Sequence, residues 1–180
     1  MADLEDLQQF ELELDLEGIP KDQVSEVKAA IGGYLVDSIL EKVARGFSPV
    51  DGYGKFAKLD KKYAQREKGG NTLANLELEG DLLSSLGFKN SSGGVVVGIM
   101  ESSQRPKADG HNNFSGDSKL PERRFIPGGG ESFASDIQGG VDEILEGFRV
   151  EQTFNDEPGA VSDILSNESI ADILLRRLNQ

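Results

Sequence analysis

Hydrophobic and polar positions alternate strictly from Phe10 to Glu17. Phe10, Leu12, Leu14 and Leu16 fall on one side, and Glu11, Glu13, Asp15 and Glu17 on the other. A period of two is the repeat of an extended chain, so this stretch predicts a half-buried strand with one acidic face, ended by Gly18-Ile19-Pro20. The period changes at Asp22. Val24, Val27, Ile31, Leu35, Ile39 and Val43 recur at three- and four-residue steps, widened by Tyr34, Leu40 and Ala44. That spacing predicts an amphipathic helix of about 24 residues, roughly 36 Å long. Asp22 is its expected N-cap and Gly46 its expected stop. Gly32-Gly33 inside it costs about 1 kcal/mol per glycine relative to alanine, which predicts either a bend or a backbone packed closely against the helix.

Ser48 to Gly54 reads as a turn-rich loop, and Leu59 to Lys68 as a short basic helix closed by Gly69-Gly70-Asn71. The leucine-rich stretch 72–87 is interrupted by Gly80-Asp81, which predicts a short helix capped by Asp81. Ser91 to Gly94 predicts a turn, and Val95, Val96, Val97 and Ile99 a buried strand. Residues 101–119 hold few apolar side chains and predict a long loop; Arg123 to Ile126 predicts a returning strand. Gly128-Gly129-Gly130 then predicts a hinge before a helix over Ser132 to Phe148, with Phe133, Ile137, Val141, Ile144, Leu145 and Phe148 on its apolar face. The polar run Thr153 to Gly159 reads as a connector. Val161 to Leu178 reads as a terminal helix, either an arm that docks elsewhere or a further helix on the same core. Together these elements predict an α+β fold: a long amphipathic helix and a C-terminal helix packed on a small antiparallel β-sheet, with long loops and a C-terminal helical arm. The expected division is a core over 1–148 and an acidic linker and helix over 149–180.

Composition adds limits. A hydrophobic fraction of 37%, 22 glycines and no tryptophan imply a modest core that subunit contacts would extend. With no cysteine, disulfides and thiolate chemistry are excluded, which suits a reducing cytoplasm. No run reaches the ~18–20 apolar residues of a membrane span, and the acidic MADLEDLQQF lacks the positive start of a secretion signal. The net charge of −13 is unevenly spread: residues 1–20 carry seven acids and no Lys or Arg, and 131–180 eleven acids against three bases. Residues 45–70 instead carry seven bases (Arg45, Lys55, Lys58, Lys61, Lys62, Arg66, Lys68) against three acids. An acidic whole argues against general nucleic-acid affinity, which needs clustered Lys and Arg. The layout suits acidic faces meeting basic faces on neighbouring copies.

Candidate chemistry is sparse. The one histidine, His111, sits in a Gly/Asn-rich stretch and reads as a surface loop residue. No HExxH, GxxxxGK[ST] or GxSxG pattern occurs. Gly128-Gly129-Gly130-Glu131-Ser132 precedes a helix but is followed by acids and lacks a lysine, so it reads as a hinge rather than an anion loop. Asp109, Asp117 and Glu122 near His111 match no defined calcium loop. No enzyme, cofactor or metal is expected.

Three ordered segments carry a likeness. The first has Ser48, Asp51, Gly52, Phe56, Leu59, Tyr63 and Lys68-Gly69; the second Leu76, Gly80, Leu82, Ser85 and Leu86, with Glu79 between. The third follows the valine strand with His111, Phe114, Gly116, Pro121, Arg123 and Phe125. In this order, over roughly residues 22–148, they resemble the tailed-bacteriophage virion-morphogenesis family, the tail-completion, neck or head–tail joining proteins. Glu79 stands where the family prefers Thr, Arg124 replaces its second proline, and the His-to-Gly segment is longer. The resemblance implies a structural ring protein without catalysis, located in the virion at the neck or upper tail and assembled in the host cytoplasm. Its implied partners are itself, as a hexamer or dodecamer, and neighbouring neck, connector, tail-tube or sheath proteins, with no membrane. Genomic DNA would pass through an acidic lumen without specific binding. Lys55, Lys58, Lys61, Lys62 and Arg66 become the candidate subunit interface, and Phe56, Phe114, Arg123 and Phe125 the residues that anchor loops on the sheet. The other reading is a small acidic adaptor binding a partner through its C-terminal helix.

Overall fold

The computed structural model describes residues 8–76, 80–113, 116 and 120–155, with side chains described as far as Arg149. The fold is α+β. Strands β1 (Gln9–Glu13), β2 (Leu86–Asn90) and β3 (Gly94–Ile99) form an antiparallel sheet in the order β1-β3-β2. The helices are α1 (Val24–Ala44), α2 (Lys61–Glu67), α3 (Asp81–Ser84), α4 (Arg105–Asn112) and α5 (Ser135–Asn155).

β3 takes the centre because it is apolar along nearly its whole length, with Val95, Val97 and Ile99 fully buried. Phe10 and Phe88 both oppose Val97, and Leu12 opposes Val95. One sheet face therefore carries these apolar side chains, while Glu11, Val96 and Lys89 share the other. The predicted alternation persists in burial from Phe10 to Glu17, but the ladder stops at Glu13. β3 begins opposite it at Gly94, and the turn before Gly94 leaves no further partner; Leu14 N–H donates to Gly93 O at 3.1 Å instead. β2 has too few apolar positions to announce itself. It is placed by the Ser91–Gly94 turn, closed by Ser91 N–H to Gly94 O (3.0 Å) and braced by the nearly buried Lys28, whose Nζ donates to Ser91 O and Ser92 O.

α1 lies on β2 and β3 with its predicted stripe inward: Val27, Ile31, Leu35, Ile39 and Val43 are fully buried. Ala44, expected on that stripe, is exposed. Asp22 is not the cap. The N-cap is Gln23, with no side-chain cap, and Pro20 O accepts from the Gln23 and Val24 amides instead. Gly46 does end the helix. It has φ +76°, and its own and the Phe47 amides reach back to Val43 O and Lys42 O, the left-handed C-terminal closure that glycine makes easily. The space over Gly32 is filled by a side chain, the Phe88 ring, rather than by a backbone, whereas a Cβ on Gly33 would meet nothing within 4 Å.

α5 packs along α1. It starts at Ser135, not Ser132, because Phe133 bridges to Val50 and Ala134 N–H donates to Pro49 O. Phe133 still joins the core, edge-on to Phe10 at 5.4 Å. The helix runs on to Asn155, so Thr153, Phe154 and Asn155 are helical rather than connector. Residues 156–180, including the predicted terminal helix, lie outside the described residues. Two further expectations are corrected. The 101–119 loop contains a 3₁₀ turn (Ser102–Gln104) and α4, with Pro106 in the first turn. Arg123 to Ile126 pairs with no strand, because its amides bond elsewhere, as described below. Among the described residues no helix is long and apolar enough to cross a membrane.

Candidate functional site

The loop after α1 is tied down at several points. Phe47 and Lys55 form an isolated bridge, and Ser48 N–H donates to Gly54 O at 3.0 Å. The buried Ser48 hydroxyl donates to Arg124 O (2.6 Å) and accepts from Val50 N–H (3.1 Å). Asp51 N–H reaches Ser132 O at 2.9 Å. Gly52, at φ +77°, turns the tip where a side chain would be strained. Phe56 closes the loop from inside the core, 7% exposed.

From this loop the chain enters α2. Asp60 caps it, with Oδ1 accepting from the Lys62 and Tyr63 amides at 2.9 and 3.1 Å. Ala64 is buried and Tyr63 half-buried, so Lys61, Lys62 and Arg66 project outward with Lys58 before them. All five candidate interface bases are exposed. Lys55 lies over the Phe47 ring at 5.6 Å, and Arg66 pairs with Glu67. Opposite charge lies on β1 and beyond, where Glu11, Glu13, Asp15 and Glu17 are exposed, and on α5, where Asp142, Glu143 and Glu146 are exposed. Part of that acidity is used within the chain: Arg149 pairs with Asp15 (3.0 Å) and Glu146 (2.6 Å).

The anchor residues meet from distant segments. Phe56 and Phe125 join the same buried core, Phe125 with no exposure. Arg123 is buried too, at 5% exposed; its amide donates to His111 O at 2.8 Å and its Nη2 to Ala57 O at 3.4 Å. Phe114 lies outside the described residues. The residue that holds this region is one the sequence reading passed over. Asn112, fully buried at the end of α4, accepts with Oδ1 from the Phe125 and Ile126 amides at 2.8 and 3.2 Å. Its Nδ2 donates to Gln8 Oε1 at 2.9 Å. These bonds use the amides that a strand would have paired. Only its place beside His111 in a polar run was visible beforehand.

His111 is corrected from surface loop to half-buried helix. Burial first, and the Arg123 charge second, push its pKa down to about 4. Burial likewise pushes the Arg123 guanidinium below its ordinary value. Asp109 Oδ1 accepts from Gln8 Nε2, and Glu122 pairs with Arg124; Asp117 lies outside the described residues. Among the described residues no group of three or more His, Asp or Glu side chains is placed to hold a metal ion. Gly128–Gly130 forms a turn in which Glu131 Oε2 accepts from Gly128 N–H at 2.6 Å, so the Glu131 carboxylate occupies that amide.

No protein-family model, curated protein or solved structure matches this chain.

Proposed function

We propose that this chain is a structural subunit of a tailed-phage virion, assembling as a homo-oligomeric ring at the neck or upper end of the tail, without catalytic turnover. The observation that supports this reading is that the three resembling segments meet in one core, with Phe56 of the first, Leu82 and Leu86 of the second and Phe125 of the third. Ser48 bonds the Arg124 carbonyl, Arg123 reaches Ala57, and Phe56 and Phe125 share one core. Several residues that carry the likeness thus pack into one core, which supports the reading of a common scaffold. Closed rings use head-to-tail contacts, in which one face complements a different face of the next copy. Lys55, Lys58, Lys61, Lys62 and Arg66 supply the basic face, and Glu11 and Glu13 with the α5 acids supply acidic counterparts. Adjoining neck and tail-tube proteins would stack above and below, and surplus acidity facing a lumen would repel passing DNA.

The test is the solution mass by light scattering over a range of protein and salt concentrations. A hexamer or dodecamer of the 19.5 kDa chain is expected, and Lys61→Glu with Lys62→Glu should reduce it to smaller species. A ring that survives the double reversal overturns the basic interface; a monomer under every condition overturns self-assembly.

A further inference from the structure

One cavity is lined, among the described residues, by several hydrogen-bond donors and by no acid. It measures about 80 Å³ and is lined by Tyr63 and Lys68 of the α2 region, Asn75, His111 of α4 and Arg123, with Leu59 on its apolar wall. That exceeds the roughly 10–15 Å³ that one water needs on the same measure and suits a group of a few heavy atoms. Arg123 is its unusual member. The residue is 5% exposed, and among the described residues its guanidinium makes one hydrogen bond, the 3.4 Å contact to Ala57 O, while Nε is buried without a partner. Among the described residues no carboxylate pairs with it. His111 Nδ1 is buried and unpartnered as well. Lys68 adds a second cation, held to Asn75 Oδ1 at 3.3 Å.

A buried cation without a counter-charge is strongly disfavoured. A lysine or histidine relieves this by losing its proton, as His111 does here, but a guanidinium does not deprotonate in proteins. An anion in the cavity would supply the missing counter-charge at Arg123 directly. We propose that this cavity is a binding site for one small oxyanion, a carboxylate or a phosphate, held by Arg123 and Lys68 with the Tyr63 hydroxyl and the His111 ring as further donors. This inference does not rest on the ring reading. The oxyanion comes either from solution or from an Asp or Glu side chain of a second copy, and the two sources share one recognition chemistry.

His111 is the single histidine of the chain, so one imidazole NMR signal reports on the cavity. The full chain is titrated with pH at constant ionic strength, with and without inorganic phosphate, at low and high protein concentration. In dilute, phosphate-free protein the midpoint should lie at about 4. Phosphate should raise it saturably by about one unit or more, because a neighbouring anion favours the imidazolium. A rise that follows protein concentration instead identifies the carboxylate of a second copy. Arg123→Gln should abolish the response. Lys68→Gln, at a half-exposed position, should weaken phosphate affinity about tenfold, the order expected for one charge-assisted hydrogen bond. A midpoint that moves with neither phosphate nor protein concentration, or a shift that never saturates, overturns the site. So does an ordinary midpoint in dilute, phosphate-free protein, since the chain would then supply its own counter-charge.

Discussion

Asn112 joins three segments far apart in sequence: its amide group holds Gln8 on one side and the Phe125 and Ile126 amides on the other. Replacing it with alanine strands two buried N–H groups, each costing about 1–3 kcal/mol. Asn112→Ala should therefore lower stability by about 2–4 kcal/mol in urea unfolding. The two α1 glycines separate steric need from backbone cost. Gly32→Ala forces a methyl into the Phe88 ring and should destabilise by about 1–3 kcal/mol. Gly33→Ala meets open space and should stabilise by about 0.5–1 kcal/mol through the unfolded chain. His111 has its folded pKa lowered from 6.5 to about 4. Between those values the unfolded chain binds more protons, so stability is full above the upper one and falls as pH drops towards the lower. The loss is at most about 3 kcal/mol, less whatever solvent screens at a half-buried ring. In phosphate-free buffer, His111→Gln should flatten that part of the stability–pH profile.

At the scale of elements, the α1–α5 seam combines apolar stripes with a few polar ties. Lys42 Nζ meets Asp136 Oδ2 at 2.6 Å in the first turn of α5, and Tyr34 fits over Gly140, where a Cβ would strike its hydroxyl. Burial alone would raise the Asp136 pKa. The Lys42 hydrogen bond and charge, with the backbone amides of Asp136 and Ile137, outweigh it and hold the carboxyl below its ordinary value. A depressed folded pKa contributes stability above the unfolded value of 3.8, lost as pH falls through the folded one. Because Asp136 is mostly exposed, the pair is worth only about 0.5 kcal/mol. Thermal unfolding of Lys42→Gln should show that small deficit near neutral pH and none in strong acid. α4 is held differently. Its composition is polar, and only Ala108 and Asn112 are buried, so its place depends on bonds to Gln8, Phe125 and Ile126 more than on an apolar stripe.

For the whole molecule, charge is the organising variable. A chain of net −13 carries five exposed bases on and just before α2, Lys55, Lys58, Lys61, Lys62 and Arg66, and in the proposed ring these would meet the acidic face of a neighbouring copy. Association through exposed charges weakens as salt shortens the Debye length to about 8 Å near physiological ionic strength and less above it. The Lys61→Glu, Lys62→Glu chain should recover mixed assemblies with a Glu11→Lys, Glu13→Lys chain, seen as a rise in light-scattering mass absent from either alone. Failure to recover with these partners would remove the β1 acids from the interface.

What the sequence determined by itself is whatever repeats locally. The period of two through Phe10–Glu17, the helical stripe from Val27 to Val43, the valine strand and the apolar face of α5 are each written within one segment, because burial on one side imposes its own spacing. Phe56, Arg123 and Phe125 were singled out only through the order of the segments around them, and no local period announced their burial. The rest depended on partners distant along the chain. β2 is a strand because β3 lies beside it, α4 stands where a polar run predicted a loop because Asn112 finds Gln8 and the 125–126 amides, and Phe88 gives Gly32 its purpose. The burial of Arg123 beside His111 is of the same kind: no local period encodes it, since the desolvation that makes the pair unusual comes from side chains that only the tertiary fold brings together.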